Sequence, residues 1–191
     1  MKTLAVMLCL ALSAPLANAG RVYVPPAPKP SDTYRAQRDV ITKINSLFPN
    51  VEVDVRWAPC GEMNAFYDVE EKTILLCTEL EEHPGLAVFA AAHEMGHALT
   101  HQLTSVTSEQ SADEIAALSL IKFGYQKELL EAAVYFAAGR PAHVPGDEHP
   151  GAGFRAWELA CIETGSDGGS AECRALYQGL RVIWNTRLRN P

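Results

Sequence analysis

His93-Glu94-Met95-Gly96-His97, preceded by Leu86-Ala87-Val88-Phe89-Ala90-Ala91-Ala92 and followed by Ala98-Leu99, decides how this chain folds. The flanks are strong helix formers without an interior proline, and Pro84 suits a first helical position. The spacing therefore predicts a helix over residues 84–103. On a helix, two histidines at i and i+4 share one face about one turn apart, near enough to hold one metal ion. A glutamate between them is placed to activate a water, so HExxH points to zinc hydrolase chemistry.

Upstream, Ser31 or Asp32 can cap a helix whose apolar positions Val40, Ile41, Ile44, Leu47 and Phe48 follow helical spacing. Pro49-Asn50 stops it. Val51-Glu52-Val53-Asp54-Val55-Arg56-Trp57 alternates as a half-buried strand does. Asn64-Ala65-Phe66-Tyr67 and Thr73-Ile74-Leu75-Leu76-Cys77 flank a polar turn and predict a hairpin. Downstream, residues 104–108 form a turn, then helices are expected over 108–123 and 126–138, closed by Gly124 and by Gly139 with Pro141. A loop over 142–153 carries His143, Asp147, Glu148 and His149, and two more helices surround Gly165-Ser166-Asp167-Gly168-Gly169-Ser170. Leu129-Leu130, Val134-Tyr135-Phe136 and Ile183 with Trp184 are assigned to the core. The class is α+β: a helix and a small antiparallel sheet, then the metal-bearing helix and a mostly helical C-terminal half.

Residues 1–19 have the marks of a secretory signal: Lys2, an apolar run too short to span a bilayer, and Ala17-Asn18-Ala19 as the cleavage site. Residues 20–30, with Val24-Pro25-Pro26-Ala27-Pro28-Lys29-Pro30, form a proline-stiffened linker. Residues 31–191 make a single domain. Without Lys2 the basic count falls from 16 to 15 against 23 acids, 15 − 23 = −8, which argues against nucleic acid or anionic lipid as partners. No later stretch is long and apolar enough to cross a membrane. Setting Cys9 aside, Cys60, Cys77, Cys161 and Cys173 remain, an even number in a chain expected to be periplasmic or secreted. Three pairings are possible, and Cys60–Cys77 with Cys161–Cys173 is the most local. No pair has the C-x-x-C spacing of a four-cysteine metal site. Glu79, Glu81 and Glu82 are expected on a solvated face.

A catalytic zinc site needs three protein ligands and an open position. His93 and His97 supply two. His101 lies eight residues beyond His93, about 12 Å along a helix, too far to join them on one ion. Glu109 and Asp113, at i and i+4, present two carboxylates on one helical face. One can bind the metal while the other accepts a proton from the second nitrogen of a ligand histidine. The small Ala112 beside them lets the two helices approach, and Glu114 is the reserve ligand.

His93 to His97 followed by Glu109-x-x-Ala112-Asp113 resembles the gluzincin arrangement of zinc metallopeptidases, HExxH with a later E-x-x-A-D. That resemblance implies a zincin-like fold with a small sheet over the metal-bearing helix. It also implies Glu109 as third ligand and Asp113 behind the ligands. Cys60-Gly61-Glu62-Met63-Asn64-Ala65-Phe66-Tyr67-Asp68, Ile74-Leu75-Leu76-Cys77, His93 to Leu99 and Asp147-Glu148-His149-Pro150 are similar to segments of a family of exported bacterial metallopeptidase domains. The likeness spans about residues 50–170.

The expected function is an exported, one-zinc peptidase acting on a peptide or protein, with Glu94 as general base. His149, with His143 as runner-up, is the expected donor to the developing oxyanion. The strand near Asn64 could pair with an extended peptide. Two other functions compete: a catalytically silent periplasmic metal-binding or protein-interaction module, and hydrolysis of a non-peptide amide.

Overall fold

A computed structural model of the chain describes residues 31–105, 108–138 and 151–183. The expected signal, the proline-rich linker, His143, His149 and Trp184 lie outside the described residues. Helix α1 (Asp32–Leu47) starts at Ser31, whose hydroxyl accepts from the Tyr34 N–H at 3.1 Å. Capping by a serine satisfies one of the donors that a helix start leaves open. Val40, Ile41 and Ile44 form its buried stripe.

Three strands follow: β1 (Asp54–Ala58), β2 (Ala65–Asp68) and β3 (Thr73–Cys77). β2 and β3 make the expected hairpin, with Asp68 Oδ1 accepting from the N–H groups of Glu70 and Glu71 in the turn. The sheet is not antiparallel throughout. Its order is β1-β3-β2, and β1 runs parallel to β3 with Ala58 opposite Cys77. A covalent constraint accounts for this. Cys60, two residues past β1, is bonded to Cys77 at the end of β3, so both strands must exit at the same end. Glu79 reinforces it. Its carboxylate is not merely solvated but accepts from the N–H groups of Cys60 and Gly61, at 3.1 and 2.7 Å.

The first strand is also shorter than its alternation predicts. Val51 is buried but belongs to the turn after α1, donating to Phe48 O. Both backbone groups of Glu52 are taken by the Gln102 side chain, at 3.0 and 2.9 Å. A side-chain amide thus replaces the neighbouring strand, and the ladder begins only at Asp54.

Helix α2 (Pro84–Thr104) has Pro84 in its first turn and ends at Ser105 in the left-handed region, φ 56°. Fourteen of its 21 residues are buried, which makes it the central element. α1, α3 (Glu109–Phe123), α4 (Gln126–Ala138) and the sheet pack around it, and α5 (Ala152–Ser166) and α6 (Ala171–Ile183) close the far side of α3 and α4. Cys161–Cys173 clips α5 to α6, so both local disulfide pairings are the ones formed. α4 buries Leu129, Ala132 and Ala133 on one face only. Leu130 and Val134, assigned above to the core, are exposed. No helix among the described residues is long and apolar enough to cross a membrane.

Candidate metal centre

The three expected ligands meet where α2 crosses α3. His93 Nε2 and His97 Nε2 are 3.1 Å apart. Glu109 Oε2 is 3.1 Å from the first and Glu109 Oε1 is 3.2 Å from the second. Four ligands held tetrahedrally at about 2.0–2.1 Å from a zinc ion stand about 3.3 Å from one another. The two imidazole nitrogens and the carboxylate, one oxygen facing each ring, thus lie at nearly the spacing of ligands on one ion, and their chemistry fits a divalent ion of this kind.

Two local features bring Glu109 there. Ser108 caps α3, its hydroxyl accepting from Ser111 N–H at 3.1 Å, and this places Glu109 in the first helical turn. Gly96, inside the histidine motif, lets the backbones close. A Cβ on it would lie 2.9 Å from both Cα and the carbonyl oxygen of Ala112. The close approach therefore needs Gly96 as well as the small Ala112.

Behind the candidate ligands lies a buried chain of charge. His93 Nδ1 is 2.7 Å from Asp113 Oδ1. Asp113, fully buried, also accepts two hydrogen bonds from Arg155, from Nε and Nη2, each at 2.7 Å. Such bidentate pairing is the strongest form of Arg–carboxylate contact. The guanidinium lies 4.2 Å from the ring centre of Phe136. Burial alone would depress the His93 pKa, but the carboxylates of Asp113 and Glu109 overcome it and raise it to about 9. Burial would raise Asp113, yet His93 and Arg155 hold it below the usual carboxylate range. The carboxylates around His93 favour a positive charge there, which either a proton or a metal cation supplies.

Glu94 is buried and stands with His93 in the wall of a cavity of about 130 Å³. Tyr135 and Phe136 line that cavity as well. His101 stays out of the ligand group, its Nδ1 3.4 Å from the Tyr67 hydroxyl, in keeping with the helical rise. Glu114, the reserve ligand, is also outside the group. Its Oε1 accepts from Gln110 Nε2, which donates to Glu158 Oε1 too, at 3.1 and 3.3 Å.

Arg155 and Gly96 were not legible as site residues. Arg155 stands 42 positions after Asp113 with no spacing signal. Gly96 was visible as a break in helix propensity inside α2, and that weak signal could have marked a close helix contact. Compared with known protein families, with curated proteins and with solved structures, the chain matches none.

Proposed function

We propose that this protein is an exported zinc-dependent peptidase of gluzincin type, with His93, His97 and Glu109 as the metal ligands. The observation that carries the proposal is the convergence of those three donors to within 3.1–3.2 Å, with Glu94 buried beside them at an open cavity. When bound, zinc supplies Lewis acidity that acidifies a water and polarises a carbonyl. Glu94 takes the proton of the attacking water and passes it to the leaving amine. Asp113, held by Arg155, fixes the proton of His93 on Nδ1 and leaves Nε2 free to ligate. Hydrophobic walls limit water around Glu94, which strengthens its interaction with developing charge. His149 is the proposed oxyanion donor. The edge strand β2, beside α2, offers backbone groups to an extended peptide. Two disulfides agree with an oxidising compartment outside the cytosol.

The test is metal analysis of the purified protein together with Glu94→Gln on a broad peptide library. Cleavage by wild type alone, with one equivalent of zinc in both proteins, is expected. Equal inactivity with metal retained in both would instead establish a silent metal-binding module.

A further inference from the structure

Among the described residues, one other group of side chains brings metal-ligating atoms together. Cys60 Sγ, Cys77 Sγ and a carboxylate oxygen of Glu79 all lie within 4.8 Å of one another. The two sulfurs are joined, so in the oxidised chain they do not ligate. Their neighbourhood does not depend on that bond alone. Ala58 pairs with Cys77 in the sheet, and the Cys77 N–H donates to Asn64 O at 3.1 Å. Glu79, just past Cys77, accepts from the N–H groups of Cys60 and Gly61 at 3.1 and 2.7 Å. Both strand ends and the carboxylate therefore stay together when the sulfur–sulfur bond is broken. N–H groups, its own first and then those of Cys60 and Gly61, hold the Glu79 carboxyl below its usual range, so it is an anion near neutral pH.

We propose that in the reduced chain Cys60, Cys77 and Glu79 form a second site for zinc or a like divalent cation, which takes the place of the disulfide until oxidation restores it. Reduction by a dithiol passes two electrons to the sulfurs, each sulfur takes a proton, and the reductant leaves as its own disulfide. Zinc then displaces both thiol protons. Two thiolates at about 2.3 Å and a carboxylate oxygen at about 2.0–2.2 Å are ordinary zinc ligands, and on one ion the sulfurs stand about 3.8 Å apart. Side chains on Cα atoms 5.4 Å apart reach that separation by rotation about their Cα–Cβ bonds. Cys77 is buried, but Cys60 and Glu79 are half-buried, which leaves a side open for water as fourth ligand. The paired thiolates select against calcium and magnesium, which favour oxygen donors. The segment that starts at Cys60 carries Met63, Asn64 and Ala65 into the wall beside Glu94, so the metal keeps that wall assembled in the reduced chain. Oxidation by a disulfide donor reverses the step. The donor takes two electrons and two protons to become thiols, the sulfurs rejoin, and zinc leaves.

Two measurements test the proposal. In the first, metal-free protein is reduced with dithiothreitol, freed of reductant without air, and titrated with cobalt(II) beside the oxidised protein. Reduced protein is expected to take one equivalent more, with a thiolate-to-cobalt charge-transfer band in the near ultraviolet that a site of imidazoles and carboxylate does not give. That band is expected to vanish in Cys60→Ser/Cys77→Ser, and Glu79→Gln is expected to weaken the added equivalent by roughly 10-fold or more. In the second, reduced wild type is alkylated with iodoacetamide, with and without zinc, and each cysteine is followed by peptide mass mapping. Zinc is expected to slow Cys60 and Cys77 by roughly 10-fold or more while leaving the rates of Cys161 and Cys173 unchanged. No added band on reduction, or protection that falls on Cys161 and Cys173 or equally on all four, overturns the proposal. The mapping needs no variant and therefore decides the matter whether or not Cys60→Ser/Cys77→Ser folds.

Discussion

Glu158→Gln is expected to stabilise this protein by an amount that grows with pH. Glu158 sits on α5 with 1% of its surface exposed. Its Oε1 accepts from Gln110, and its Oε2 has no hydrogen-bond partner among the described residues. Burial, then the charges of Glu114 and Asp113 across on α3, push its carboxyl from the ordinary 4.5 up to about 7, against smaller opposing pulls from the Gln110 hydrogen bond and from Arg155. Because the folded pKa is the higher one, the folded state holds a proton that the unfolded chain has already released. Stability is therefore full below pH 4.5, falls as pH rises from 4.5 to 7, and is level above that. The shift, 7 − 4.5 = 2.5 units, corresponds to about 3 kcal/mol. Glutamine keeps the shape of the neutral carboxyl and cannot ionise. The variant should match wild type at pH 4 and exceed it by about 3 kcal/mol at pH 8, roughly 6–12 °C in Tm for a domain of this size. Urea unfolding followed by circular dichroism at pH 4, 6 and 8, with disulfides intact, measures it. A stability difference independent of pH, or a variant weaker than wild type at pH 8, would refute the reasoning.

Gly96→Ala should force α2 and α3 apart, because the new Cβ meets Ala112 backbone at 2.9 Å. A stability loss of about 1–3 kcal/mol is expected, read by denaturant melts, together with weaker zinc binding by competitive chelator titration. Asp113→Asn removes the anchor of His93 and should lower zinc affinity about 10- to 100-fold, and it should also lower the unfolding midpoint because it leaves the buried Arg155 guanidinium without its carboxylate. Arg155→Met leaves Asp113 a buried charge without its guanidinium partner, and its larger cost, about 3–5 kcal/mol, should appear as a lower unfolding midpoint. Replacing Cys60 and Cys77 together by serine opens a loop with a sequence separation of 17, a loss of about 3 kcal/mol on the chain-entropy account. A double variant as stable as wild type would mean that Glu79 alone holds the segment after β1.

Much of the site is legible in the sequence. Spacing at i and i+4 fixed the relation of His93 to His97 within one helix, and the same rule placed Glu109 and Asp113 on one face of the next. The starts of α1, at Ser31 or Asp32, and of α2, at Pro84, followed from capping and first-turn preferences, which act within one turn. The first strand starts three residues later than its alternation predicts, because alternation alone cannot reveal that Gln102, fifty positions away, occupies the backbone of Glu52. The sheet direction departs from expectation for a similar reason. Hairpin signals favour antiparallel neighbours, but the Cys60–Cys77 bond sets β1 parallel to β3.

By itself, the sequence determined those features whose partners lie within one element: the helix α2, its paired imidazoles, the carboxylate face of α3 and the α+β class. Local covalent geometry dictates where neighbours three or four residues apart must point, whatever the rest of the chain does. The tertiary structure alone decided the rest. It brought Glu109 to 3.1 Å from His93, closed Gly96 on Ala112, and set Arg155 behind Asp113. It also gathered Leu80, Phe89 and Phe136 around Glu94 and buried Glu158 against α3. Each of these depends on which surfaces of separate elements pack together, a choice made by the burial of the whole core rather than by any single stretch of residues.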